Sequence, residues 1–287
     1  MNMEIYGRTD LASEAHRIAS RGIRSGALQG VAAQEDVING LSVTAVEVLD
    51  QNGAETLGKP IGKYFTLELG PHFDRGAEDF PAAAGAVAEL VRRCAAFDNI
   101  SRILIAALGN PDITPDAVGP VAASNILVTR HLKMSAPQEF LGFRATVLCR
   151  TGVLGTTGVE SAIQVETLCR ELKPDLVIAI DALAGAEVSR LCRTIQICST
   201  GISPGSGVGN DRKALNQETL GVPVIAIGVP TVIDASNFSD DPRLAAMFVT
   251  PRDIDSTVRS AGRLIGYGVN LALHDGLTVS DIDMLVG

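Results

Sequence analysis

The sequence predicts an α/β fold: a mainly parallel sheet with helices on both faces (α/β/α), plus a small antiparallel hairpin as an appendage. Two observations carry this. From about Phe80 onward, short apolar runs of strand length alternate with longer stretches whose apolar residues recur at helical spacing. That alternation is the pattern of a parallel sheet covered on both sides. The chain is also built from small residues: 29 of its 287 residues are Gly, aromatics make up 4% and Trp is absent. Glycine therefore reaches about a tenth of the chain, against a usual share of about 7%, which suits helices packed closely on a sheet and loops that turn tightly.

The elements follow in order. Leu11 to Ile23 reads as a helix, with Leu11, Ala15, Ile18 and Ile23 near helical spacing. Leu41 to Leu49 is rich in β-branched residues, Asn52-Gly53 is a turn signal and Lys63 to Leu69 alternates, which together predict the hairpin. Ala82 to Phe97 reads as a helix and Arg102 to Ala107 as a buried strand. The loop GNPDITPD then leads into a helix over Ala117 to Leu132. A second buried strand covers Ala145 to Cys149, with its helix from Glu160 to Leu172. The third strand, Leu176 to Ile180, is followed by a helix reaching about Arg190. Thr194 to Cys198 and Val222 to Ile227 add two strands, and a long helix runs from Arg252 to Leu273. No break in composition divides the chain, so one domain over residues 1–287 is expected.

Composition excludes several classes. With 46% hydrophobic residues and a mildly positive mean hydropathy, the chain is not a disordered one. No stretch of about 18 residues is free of charge or turn signals, which argues against a membrane-spanning helix. The start, MNMEIYGRTDLASEAHR, lacks the apolar segment of a signal peptide, so a cytoplasmic protein is expected. There are 24 Lys+Arg against 33 Asp+Glu, a formal charge of −9. Such a surface repels a phosphate backbone, so no direct nucleic-acid binding is expected and a protein or peptide is the easier partner. The cysteines, Cys94, Cys149, Cys169, Cys192 and Cys198, are odd in number and form no CxxC. All but Cys192 sit in apolar surroundings typical of reduced core thiols. His16, His72, His131 and His274 are scattered, with no HExxH. Neither a metal nor a cofactor is expected.

In a sheet of this kind the chemistry sits at the carboxyl ends of the strands. After Ala107, the segment LGNPDITPDAVGP places Asp112 and Asp116 on a tight loop, with Asp116 at the start of the next helix. Asp181 directly follows the apolar strand in PDLVIAIDALAG. Each is placed either to cap a helix by accepting its free amides or to face the crevice. The second reading gains from the pairing: two carboxylates sharing a site do not both ionise easily, so one pKa rises and the pair can divide acid and base roles. Such a pair activates water against an amide without metal or nucleophile. The run STGISPGSGVGN, residues 199–210, resembles a phosphate cradle. It lacks the Gly-Lys-Ser/Thr of a P-loop and does not match GxGxxG, so a connector, a lid or an oxyanion-type loop also fits. In TGVLGTTGVES, residues 151–161, Ser161 lacks the flanking glycines of a nucleophile elbow.

The segments RTDLA (8–12), VEVLDQNGAETLGKPIGKYFTLEL (46–69), ALGNPDITPDAVGP (107–120), LVTRHL (127–132), PDLVIAIDALA (174–184) and TIQICSTGISPGSGVGNDRKALNQETLGVPVIAIGVPTVIDA (194–235) resemble the germination protease (spore protease) family of spore-forming Firmicutes. The resemblance runs in order over about four fifths of the chain. It implies an atypical aspartic-type endopeptidase that begins the degradation of small acid-soluble spore proteins during germination. It further implies a homotetramer in the forespore and spore core, made as a zymogen and activated by removal of an N-terminal propeptide, and a fold similar to that of the hydrogenase maturation proteases. The family's two proposed catalytic aspartates match Asp116 in TPDAVGP and Asp181 in AIDALA. Two departures stand out. Residues 1–7 alone precede RTDLA and read as a short propeptide remnant, and Asn110-Pro111-Asp112 stands where a bulkier residue is expected after the Asn. Two other readings remain: a metal-sensing processing peptidase of the hydrogenase-maturation type, which needs a histidine such as His131 beside both aspartates, and a non-enzymatic nucleotide-binding protein using the GSGVGN loop.

Overall fold

The computed structural model describes the chain except for residues 1–8, 22–27, 71–72, 206–211, 240, 245–246 and 287. In chain order its helices are α1 (Ala12–Arg21), α2 (Gln51–Leu57), α3 (Phe80–Cys94), α4 (Val118–Ala123), α5 (Arg130–Ser135), α6 (Leu154–Thr157), α7 (Ser161–Leu172), α8 (Gln217–Leu220), α9 (Ile254–Leu273) and α10 (Val279–Val286). The strands are β1 (Val31–Ile38), β2 (Leu41–Val48), β3 (Gly62–Glu68), β4 (Arg102–Leu108), β5 (Ala145–Gly152), β6 (Leu176–Gly185), β7 (Thr194–Cys198), β8 (Val224–Asp234) and β9 (Phe248–Val249). They form one sheet in the order β1-β2-β3-β7-β8-β6-β4-β5, with β9 paired to the end of β8.

The α/β architecture agrees with expectation, but the sheet is mixed. The run β8-β6-β4-β5 is parallel. Beyond it, β7 is antiparallel to both β8 and β3, and β1, β2 and β3 form an antiparallel meander. The antiparallel strands therefore make up the other half of the sheet, where the sequence predicted a small appendage. One face is covered by α3, α4 and α9, which pack on Ile103, Ile105, Ile178, Ile180, Ile195 and Ile197. The other is covered by α7 and α8 over the parallel half, and by α1 and α2 over the antiparallel half.

The turn of the first hairpin is at Asn39-Gly40. Both residues have left-handed φ, +52° and +83°, as a two-residue turn matched to strand twist requires. Asn52-Gly53 lies inside α2, whose N-cap Asp50 accepts the Gly53 amide at 3.0 Å. A Cβ on Gly53 would lie 2.0 Å from the Gly30 carbonyl oxygen. Glycine serves there for close approach of helix and chain.

The helix expected over Ala117 to Leu132 is interrupted. A 3-10 turn, Thr114–Asp116, leads into α4, and the chain leaves the helix after Ala123 until α5 begins. The cause is Asn270, fully buried on α9. Its side chain accepts the Leu127 amide at 2.9 Å and donates to the Asn125 carbonyl at 2.8 Å, giving the backbone an alternative to helical pairing. The expected helix after Ile180 is absent as well. Strand β6 continues to Gly185 because β8 runs on beside it, pairing Ala182 with Val229 and Leu183 with Pro230.

Small residues set the helix spacing. A Cβ on Gly268 of α9 would lie 2.4 Å from a methyl of Val87 on α3, and one on Gly262 would lie 2.7 Å from Val121. Phe80 is fully buried at the start of α3 and meets Tyr267 edge to face at 5.2 Å between ring centroids. Phe80→Ala is expected to cost about 3–5 kcal/mol, read as a lower urea midpoint in an equilibrium unfolding curve.

Candidate active site

Strand β6 is apolar and buried from Leu176 through Ile180. Its ladder with β4 ends at the pair Ala107 and Ile180. On the other flank β8 continues, with Asp181 opposite Gly228. Asp181 is thus the first residue of β6 to have lost its β4 neighbour, and it is 6% exposed. Its Oδ1 accepts the Ala182 amide at 2.9 Å. Asp181 lies within the strand and caps no helix.

The segment following β4 folds back over this gap. Gly109 has φ of +100°, and a Cβ there would lie 2.0 Å from the Asp116 carbonyl oxygen. A Cβ on Gly119 would lie 2.2 Å from the Leu108 carbonyl oxygen and 2.7 Å from that of Ile180. Only bare backbone at both positions lets the loop close down on the sheet edge. Thr231 of β8 ties it there, donating to the Pro115 carbonyl at 2.7 Å. Asp116, in the 3-10 turn, accepts the Asn110 amide on its Oδ2 at 2.8 Å. The residue at the N-cap of α4 is Ala117. The capping alternative therefore fails for Asp116 too, and both carboxylates line one cleft of about 540 Å³. Asp112 is exposed and does not line it.

The two environments differ. Asp181 is held well above the ordinary carboxylate range, chiefly by burial, then by the charge of Asp116 and more weakly by that of Asp10; the Ala182 amide opposes this. Asp116 is also raised, by burial, against the pull of the Asn110 amide. Among the described residues no Arg or Lys forms an ion pair with either. Two close carboxyls without a cation share a proton most readily, and the more buried one keeps it.

Sequence reasoning missed other cleft residues: Asp10, the Glu160–Arg212 ion pair at 2.8 Å, Thr231 and Phe248. Asp10 stood inside RTDLA, but no chemistry could be attached to a lone carboxylate some hundred residues from the others. Ser161 lines the cleft and donates to the Gly152 carbonyl at 3.1 Å. His131 is exposed on α5, and among the described residues no histidine lines the cleft. Burial raises the thiol pKa of all five cysteines, so none is poised as a thiolate. The GSGVGN run lies, from residue 206 onward, outside the described residues. Among the described residues, no group of three or more His, Cys, Asp or Glu is arranged to hold a metal ion, and no helix is long and apolar enough to cross a membrane.

A model of the germination protease family matches residues 9–244, a span that contains both aspartates and all of the cleft lining but Phe248. The chain belongs to that family. It is a peptidase. A germination protease of Caldanaerobacter subterraneus subsp. tengcongensis is 38% identical over 97% of this chain and 98% of its own length. One from Clostridium perfringens is 35% identical over 96% and 98%, and one from Bacillus cytotoxicus is 43% identical over 82% and 65%. Among solved structures, the [NiFe] hydrogenase maturation protease HycI from Thermococcus kodakarensis aligns with 64% of this chain and 98% of its own, with a TM-score of 0.37 and 18% identity.

Two outcomes are expected from the site's packing. In the peptidase, Gly109→Ala forces a left-handed alanine against the Asp116 backbone and is expected to cost about 1–3 kcal/mol, measured by thermal unfolding. Asp181→Asn works the other way. The folded state holds the Asp181 proton above the ordinary carboxylate value of 3.8, so wild-type stability falls as pH rises from there toward the raised folded pKa. An amide has no such penalty. The variant is therefore expected to melt higher than wild type at neutral pH, with the gain disappearing as pH approaches 4.

Proposed function

We propose that this germination protease is an endopeptidase that begins the degradation of small acid-soluble spore proteins during germination, using Asp116 and Asp181 to activate one water. The observation that carries the reading is the pairing itself. Two carboxyls line one cleft, neither is ion-paired to a cation among the described residues, and one is buried far more deeply than the other.

The proton belongs on Asp181, where burial and the neighbouring charge both favour the neutral acid. Asp116, less buried and steadied by the Asn110 amide, is the ionised partner. In the reaction Asp116 removes a proton from the water as its oxygen attacks the peptide carbonyl, and Asp181 gives its proton to the carbonyl oxygen. The tetrahedral intermediate collapses as the proton on Asp116 passes to the leaving nitrogen and Asp181 recovers its own from the hydroxyl. The products are a carboxylic acid and an amine, and both carboxyls return to their starting states. Activity requires Asp116 ionised and Asp181 protonated, so Asp116 shapes the acid limb of the rate profile and Asp181 the alkaline one.

Family membership also supports a homotetramer, a zymogen origin and a place in the spore core for this chain. The acidic composition suits an enzyme whose substrates, rather than itself, hold DNA.

The reading is tested by incubating the protein with a purified small acid-soluble spore protein and identifying the fragments by mass spectrometry. Internal cleavage is expected, with a bell-shaped pH dependence. Asp116→Asn and Asp181→Asn should each lower kcat by about 10²–10⁴-fold, the usual worth of a positioned acid or base. Full activity in either variant would rule the pair out.

A further inference from the structure

The N-terminal segment that carries Asp10 has a place in the site that the reaction described above does not use. Strand β8 occupies one flank of β6 as far as Gly185, and β4 leaves the other flank after the pair Ala107 and Ile180. On that vacated flank, three residues beyond Asp181, Asp10 takes over. Its amide donates to the Ala184 carbonyl at 2.9 Å, and its Oδ2 accepts the Ala184 amide at 2.9 Å. The cleft at Asp181 is therefore a gap in the flank of β6, bounded on one side by the end of β4 and on the other by Asp10.

The clamp is itself held from three directions. Gln196 of β7 donates to the Asp10 carbonyl at 2.9 Å and accepts the Ala12 amide at 2.7 Å. Glu14 of α1, fully buried, accepts the amides of Ala186 and Glu187 at 2.7 and 3.0 Å, continuing the attachment past the end of β6. Lys59, between α2 and β3, donates to the Thr9 carbonyl at 3.1 Å.

Building on the aspartate-pair reading, we propose that Asp10 is a positioning residue for Asp116 and Asp181, clamping the outgoing end of β6 and placing a third carboxylate on the wall of their cleft. Several charged groups among the described residues bear on this cleft. Asp116 faces Asp181 from the 3-10 turn, Asp10 faces it from the N-terminal segment, and Glu160 and Arg212 line the same cleft as an ion pair. Lys59 is attracted to Asp10 first and more weakly to Glu14, so Asp10 has a cation near it as well as the carboxyl of Asp181. Asp10 repels a charge on Asp181, so it helps keep Asp181 in the protonated form that the reaction needs. It does both jobs without touching the scissile bond.

The two contributions separate by mutation. Asp10→Asn keeps an acceptor for the Ala184 amide and removes the charge; Asp10→Ala removes both. Asp181 is followed by carbon-13 NMR titration in the wild-type protein and the Asn variant, and kcat and KM are measured against pH on a small acid-soluble spore protein. In Asp10→Asn, Asp181 is expected to titrate about half a pH unit or more lower. The alkaline limb of kcat should move the same way, with KM changed by less than about twofold. In Asp10→Ala, kcat at the optimum is expected to fall by about tenfold or more, and the Asn variant should recover most of it. An unchanged Asp181 titration in the Asn variant overturns the electrostatic contribution, and a wild-type kcat in the Ala variant overturns the clamp. Should the Ala variant fail to fold, amide hydrogen exchange at Ala184 and the titration in the isosteric Asn variant decide the matter. The NMR readout needs no activity, so it tests Asp10 even if Asp181→Asn were to keep full activity and the peptidase pair itself had to be abandoned.

Discussion

The site depends on a mismatch of strand lengths. Strand β4 spans 7 residues and its neighbour β6 spans 10, so the outer part of β6 must find another partner on one flank. Buried backbone polar groups have to be paired, and a parallel strand enclosed on both faces has no water to turn to. The chain solves this with two borrowed segments: the loop after β4, folded down through Gly109 and Gly119, and the stretch around Asp10. Between them remains one short opening, and Asp181 fills it. A carboxylate there is buried, which favours its neutral form, and still lines the cleft.

Among the described residues neither aspartate is ion-paired to a cation, and that matters as much as the burial. Elsewhere in the molecule carboxylates are pulled the opposite way by arginine: Arg102 holds Asp175 well below the usual range, and Arg75 together with Tyr267 holds Asp283 down to about 2. Those are ordinary surface anchors, permanently charged. Among the described residues Asp116 and Asp181 each accept one backbone amide and have no ion-pair partner. Amides favour the anion mildly and do not cancel a neighbour's charge, so a second negative charge in the cleft stays disfavoured.

Much of this was legible in the residues, and the rest was not for identifiable reasons. The buried strands β4 and β7, the inner half of β6 and both aspartates could be read directly, because an apolar run followed by a carboxylate is a local pattern. The outer half of β6 could not, since ALAG has no strand signature of its own and is extended only because β8 and Asp10 pair with it. The choice between Asn39-Gly40 and Asn52-Gly53 was equally invisible: the same dipeptide is a hairpin turn in one place and a helix packed against Gly30 in the other. The break after Ala123 is imposed by Asn270, well over a hundred residues away. Asp10 was missed for a similar reason, as its partners are supplied wholly by tertiary structure. The aspartates' capping role, an open alternative in the sequence, is decided by the strand and the 3-10 turn in which they lie.

The attachment of residues 9–14 also orders events during synthesis. These residues leave the ribosome long before the strands they fasten to: Asp10 meets Ala184 at a separation of 174 residues, and Ala12 meets Gln196 at a separation of 184. Contacts so distant in sequence close late. A nascent chain that has emerged only through β4 and β5 carries Asp116 but has no wall for it to face. A chain stalled before β7 has Asp181 but no Gln196 to fasten the N-terminal strap. The cleft that holds the two aspartates is thus closed only once β7 and the N-terminal strap have met, and a shorter nascent chain carries the carboxylates without their enclosure.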